Sequence, residues 1–194
     1  MSGRVWVTRT VSSVKLPPTA LVRLRMTTPA PRIGPPEWLI IIGGVLFILA
    51  LAISAVFVPD VRWLHVFQGL IYVAAILLSL RRSRWGYFIG ISAAGLWNYI
   101  ALFASTLFAD LLDHPDRPDI IVQVAAWLAN LLVIIGCVWA YSRQPAPPRS
   151  DPVRFVATFI LTTAFLAAAI AIFSPHRLDI FPRMLHPHWP WLRR

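Results

Sequence analysis

Five polar side chains sit inside otherwise apolar runs: His65, Gln68, Asn98, Gln123 and Asn130. Hydrocarbon offers such groups no water, so they either bridge helices or face a ligand. At about 100° per residue, His65, Gln68, Tyr72 and Ser79 share one arc of a helix. Gln123, Trp127, Asn130 and Cys137 share another. Imidazole and carboxylate suit a second kind of chemistry, the binding of zinc or copper. His114 lies among Asp110, Asp113, Asp116 and Asp119, and His186-Pro187-His188 holds two imidazoles close together. His114, His186 and His188 are therefore the candidate metal ligands, although their spacing matches no established metal motif.

The polar groups have to be positioned by long apolar segments. The chain is 58% hydrophobic and 13% charged, about half the charge of an ordinary soluble domain. Too little charge remains to clothe a surface in water. Uncharged runs cover 38–58, 63–80, 85–109, 120–142 and 155–174, and Val61 with a snorkelling Arg62 extends the second to 61–80. Each is near the ~20 residues that cross a bilayer. Continuous apolar runs without strict alternation predict helices and not a barrel. The expected fold class is all-α, a polytopic membrane bundle of five transmembrane helices. Short turns at Pro59-Asp60 and at 81–84 make neighbouring helices antiparallel.

Charge sets the expected orientation. Twelve Lys and Arg fall on the face that holds the N-terminal segment, the 81–84 turn and the 143–154 loop, against six on the other. The basic face is expected to be cytoplasmic. This places the N-terminus inside and the C-terminus outside, in a bacterial inner membrane or, alternatively, a mitochondrial one. The net charge of +10 thereby acquires a membrane explanation, and no nucleic-acid partner is expected. The expected partners are the lipid bilayer and other membrane subunits or a second copy.

Heights along the helices follow at ~1.5 Å per residue. His65, Gln68 and Gln123 all fall within about 10 Å of the outer surface. Asn98 and Asn130 fall about 15 Å deep. The expectation is an outer His–Gln–Gln layer and a central Asn–Asn pair, serving as interhelical glue or lining a solute pocket. Small residues recur every four positions at Gly86, Gly90 and Ala94, and at Thr158 with Thr162 and Ala164 with Ala168. Such faces let backbones approach, within the chain or between copies.

Residues 1–37 hold six basic residues and a single acid, Glu37. They are expected to form a disordered basic tail, and translation starting at Met26 would leave 1–25 unmade. Residues 175–194, with Trp189, Trp191 and several basic residues, are expected to lie along the outer surface. In length, span number and tryptophan content the chain is similar in outline to the tryptophan-rich sensory (translocator) proteins. However, Pro35-Pro36-Glu37-Trp38 precedes the first span and is not the loop pattern that family carries, so no family is assigned.

The sequence carries no zinc-protease helix, no phosphate-binding glycine loop and no nucleophile elbow. One imidazole in the spans does not make a bis-histidine haem site. Acid–base work on lipid headgroups would fall to His65, His114 and the outer aspartates. The expected function is a small, non-enzymatic accessory or structural membrane subunit without a resident cofactor. The alternatives are a solute transporter or receptor using the polar layers, and a metal-handling protein using the outer histidines.

Overall fold

The computed structural model describes residues 33–105, 107–178 and 180–185. The 1–25 start-site question, nearly all of the N-terminal tail, and His186 and His188 lie outside the described residues. Helices α1 (Pro35–Phe57), α2 (Arg62–Leu80), α3 (Arg84–Tyr99), α4 (Leu107–Asp113), α5 (Pro118–Ser142), α6 (Asp151–Phe173) and α7 (Ile180–Leu185) follow one another, and no strand occurs among the described residues. Short 3-10 turns at Pro59–Val61 and Pro175–Arg177 join α1 to α2 and α6 to α7. Five of the helices are long and apolar enough to cross a membrane, and the chain is a multi-pass membrane protein of the all-α class.

Proline and acidic residues mark where the long helices begin. Pro35 and Pro36, Pro118 and Pro152 each occupy a first turn, where a missing N–H costs nothing. Asp119 and Asp151 stand in the opening turns of α5 and α6, favourably placed against the helix dipole. At α1 the Glu37 carboxylate accepts the Gly34 N–H at 3.0 Å. Counting only uncharged residues trims these first turns. The fifth span therefore starts at Asp151, not at 155.

The third run is shorter than expected. It does not continue as one helix to 109. After Tyr99 the backbone widens into a π-turn, Ile100–Ala104, and Ser105 leaves the helix with φ −106° and ψ 172°. Its hydroxyl donates to the Ala101 carbonyl at 2.6 Å and accepts the Leu107 N–H at 3.2 Å. A serine that serves the end of one helix and the start of the next competes with helix continuation. The span is Arg84–Phe103.

α1 packs most extensively along α5, and α3 contacts α2, α5 and α6. More than half of the apolar stretch of α3 is buried, the highest share among the five spans. Apolar contact with a neighbouring helix gains nothing over contact with lipid, so backbone approach and dispersion must hold the bundle. Glycine supplies the approach. A Cβ on Gly43 would stand 2.7 Å from the Ala129 carbonyl oxygen, and one on Gly136 2.9 Å from that of Pro36. α1 and α5 thus touch backbone to backbone at two levels. Around this seam lies a core of Ile40, Phe47, Tyr72, Ala129, Val133 and Cys137. Phe47 stacks on Tyr72 at 4.2 Å and meets Trp97 edge-on at 5.3 Å.

The two small-residue stripes have different fates. Gly86 packs on the backbone at Leu78 and Ser79, Gly90 on Cys137, and Ala94 is fully buried. That stripe serves packing within the chain. On α6, Thr158 and Thr162 are buried while Ala164 and Ala168 are exposed.

Gly43→Ala and Gly136→Ala are each expected to lower unfolding free energy in detergent by about 1–3 kcal/mol, since the added methyl meets backbone. Gly95→Ala, which meets nothing within 4 Å, is expected to be neutral or to gain up to about 1 kcal/mol from helix propensity. Denaturant titration in micelles measures all three.

Candidate functional site

The central polar layer is joined differently from the expected Asn–Asn pair. Tyr72 Oη on α2 donates to Asn130 Oδ1 on α5 at 2.5 Å, and Asn130 is 0% exposed. Among the described residues no hydrogen bond joins Asn98 to Asn130. Asn98 is buried, and its Oδ1 has no partner; neither has Nδ2 of Asn130. Counting turns fixes the height of two residues but not their bearing around each helix. Height alone therefore paired Asn130 with the wrong neighbour.

The outer layer divides in the same way. His65 sits on α2 with Nδ1 3.0 Å from the Leu51 carbonyl oxygen of α1. A carbonyl accepts only, so Nδ1 carries the proton and donates. Gln68 Oε1 is buried without a partner. Gln123 is half-buried on α5 and makes no hydrogen bond among the described residues. No hydrogen bond links His65, Gln68 and Gln123 into one group.

The strongest polar cluster is one the sequence reading passed over. At the end of the bundle that carries Arg84, the Asp151 side chain is 2% exposed. Its Oδ2 accepts from Arg84 Nη1 at 2.5 Å and from Tyr141 Oη at 2.9 Å. Arg154 Nη1 stands 3.6 Å from Oδ1, while Arg84 also donates from Nη2 to the Pro145 carbonyl at 2.9 Å. The cluster ties the starts of α3 and α6 to the end of α5. One signal existed: Asp151 and Glu37 are the only acids on a face with twelve basic residues. An acid so outnumbered by basic residues is well placed to be an ion-pair partner.

Cavities lie beside these groups. One of about 500 Å³ is bounded by Tyr141, Asp151, Phe88, Phe155 and Pro148. A more polar cup of about 360 Å³ is lined by Glu37, Arg82, Tyr87, Arg143 and Gln144. Gln144 donates to the Arg82 carbonyl there at 3.1 Å. At the opposite end a groove of about 570 Å³ between α1 and α2 is lined by Arg62, His65 and apolar residues. None of these three is lined by Gln68, Asn98, Gln123 or Asn130.

The Asp60 end is closed in part by the tail. His176 Nε2 lies 2.8 Å and Arg177 Nη2 3.7 Å from Asp60 Oδ2. Tyr99 Oη donates to the Met184 carbonyl at 2.6 Å, seating α7 near the π-turn. The basic tail thus pairs with Asp60, while Asp119 of the acidic loop pairs with its neighbour Arg117 at 2.7 Å. His114 is exposed. Among the described residues no group of three or more His, Cys, Asp or Glu could hold a metal ion.

Asp151→Ala leaves a half-buried guanidinium without its counter-ion and is expected to cost about 3–5 kcal/mol of stability. Tyr72→Phe removes one interhelical hydrogen bond and is expected to cost about 0.6–1.7 kcal/mol. Thermal unfolding of the detergent-solubilised variants checks both. No family model, no curated protein and no solved structure matches the chain, so no relative supplies a role for any of these residues.

Proposed function

We propose that the chain is a non-enzymatic accessory or structural subunit of a bacterial inner membrane, with its N-terminus in the cytoplasm and its C-terminal tail outside. The twelve-to-six division of basic residues supports the orientation. The buried Tyr72–Asn130 hydrogen bond carries the reading of the interior. It spends the most deeply buried amide on holding α2 to α5, as does the His65 contact with Leu51 for α2 and α1. Polar groups engaged in this way fix helix positions and leave the lipid-facing surface for contact with partners.

A second reading rests on a separate observation. Gln68 Oε1, Asn98 Oδ1, Asn130 Nδ2 and Ser92 Oγ are all buried without partners among the described residues. Buried polar atoms normally find one, in protein, ordered water or ligand. They would suit a small polar solute held between α2, α3 and α5.

The readings separate experimentally. As a subunit, the chain migrates within a larger complex on blue-native gels of a mild-detergent extract. Asn130→Leu then lowers stability by about 0.6–1.7 kcal/mol, and Asn98→Leu is neutral or stabilising because it removes an unpaired acceptor. A chain that runs alone, and whose solute-induced stabilisation vanishes in Asn98→Leu, would overturn the subunit reading. Reporter fusions after residues 32 and 178 should fall in different compartments.

A further inference from the structure

The groove between α1 and α2 has a length, a floor and a charged end that together specify an occupant. Its floor is built from small residues, Ala52 and Ala55 on α1 and Gly69 on α2. A Cβ placed on Gly69 would meet only Ile48, at 4.0 Å, so the space above it is open. The rims are apolar and face outward: Val56 is 75% and Leu70 53% exposed. The mouth therefore opens sideways, toward hydrocarbon. From Arg62 to Val73, the lining residues at its two ends on α2, the groove runs about 16 Å at 1.5 Å per residue. That is half of the ~30 Å hydrocarbon core, the depth of one leaflet.

Arg62 stands at the end of the groove nearest the turn between α1 and α2. Among the described residues it has no ion pair or hydrogen bond. The nearby acid, Asp60, is already engaged by His176 and Arg177. His65, one turn deeper, uses Nδ1 on Leu51, and its Nε2 has no partner among the described residues. A free guanidinium at headgroup height above a leaflet-long apolar channel matches an amphipath with an anionic head. A phosphodiester accepts two parallel N–H donors from guanidinium.

We propose that this groove is a binding site for one anionic phospholipid of the leaflet at the Asp60 end. An acyl chain lies along Ala52, Ala55 and Gly69, the phosphate meets Arg62, and His65 lines the groove beneath it. The site requires only the membrane topology. It stands apart from the subunit role and from the solute reading.

The test uses the full chain in a neutral maltoside detergent, titrated separately with phosphatidylglycerol and phosphatidylcholine while thermal unfolding is followed. Phosphatidylglycerol should reach half-maximal stabilisation at about fivefold lower concentration, the weight of one basic residue at a charged lipid surface. Arg62→Gln should erase that gap, with Arg62→Glu as a second variant that also lies outside the packed core. Gly69→Leu, filling the groove, should abolish stabilisation by both lipids, whereas Arg149→Gln at the other end should behave as the wild type. Equal response to the two lipids, or a gap that survives Arg62→Gln, overturns the proposal. So does stabilisation by inorganic phosphate alone, or a disulfide between Val66→Cys copies, which would mean a second chain fills the groove. The lipid and phosphate results leave the native-gel outcome unchanged, so failure there is distinct from failure of the subunit reading.

Discussion

The contact of α1 with α5 is made by main chain, at Gly43 against Ala129 and at Gly136 against Pro36. In a bilayer, helices leave water before they associate, so burying apolar side chains between them yields little net gain. What remains is dispersion, and dispersion falls steeply with distance. Two glycines, one on each helix, bring the axes close enough for Ile40, Phe47, Ala129 and Val133 to interlock. The position of α5 set in this way fixes where Asn130 stands, and Asn130 in turn receives Tyr72 from α2. α3 then packs against α2 and α5 through Gly86 and Gly90. A wider separation at the first seam would loosen each of these contacts.

Polar groups finish what packing begins, and they do so differently at different heights. In the middle of the bundle a neutral phenol and a neutral amide share one short hydrogen bond. A charge there would carry a large desolvation cost. At the Arg84 end, near where water and headgroups return, the chain places a full carboxylate–guanidinium pair, with Tyr141 adding a donor to the carboxylate and the Pro145 carbonyl accepting from the guanidinium. α6 touches α3 and, more lightly, α2. The ion cluster is therefore a principal restraint on where that helix begins.

At the Asp60 end the restraint is mixed. Phe67 stacks on Phe173 at 4.8 Å, Ile180 and Phe181 pack against the Val61–Leu64 cluster, and Asp60 gathers the His176 and Arg177 side chains of the tail. This clamp holds α2 to α6 on one side of α2. On the side toward α1, Phe47 stacks on Tyr72 and His65 bonds to Leu51, while Ala52, Ala55 and Gly69 leave the apolar groove open between the two helices.

The sequence by itself determined the membrane character, the all-α class and the existence of five spans. Each of these depends on composition and run length, which any bilayer reads in the same way. It also marked Asn130 and His65 as polar groups of consequence, since both are conspicuous in apolar surroundings. Tertiary structure alone decided their partners. Rotation of each helix about its axis depends on which small residues meet across a seam, and no count of turns supplies it; hence Tyr72 and not Asn98 bonds to Asn130. The Asp151 cluster was hidden for a related reason: its members, Arg84, Tyr141 and Asp151, are as many as 67 residues apart and meet only once three helices are packed. The end of the third span depended on a local detail, one serine hydroxyl at 105 bonding in two directions, to which hydropathy is blind.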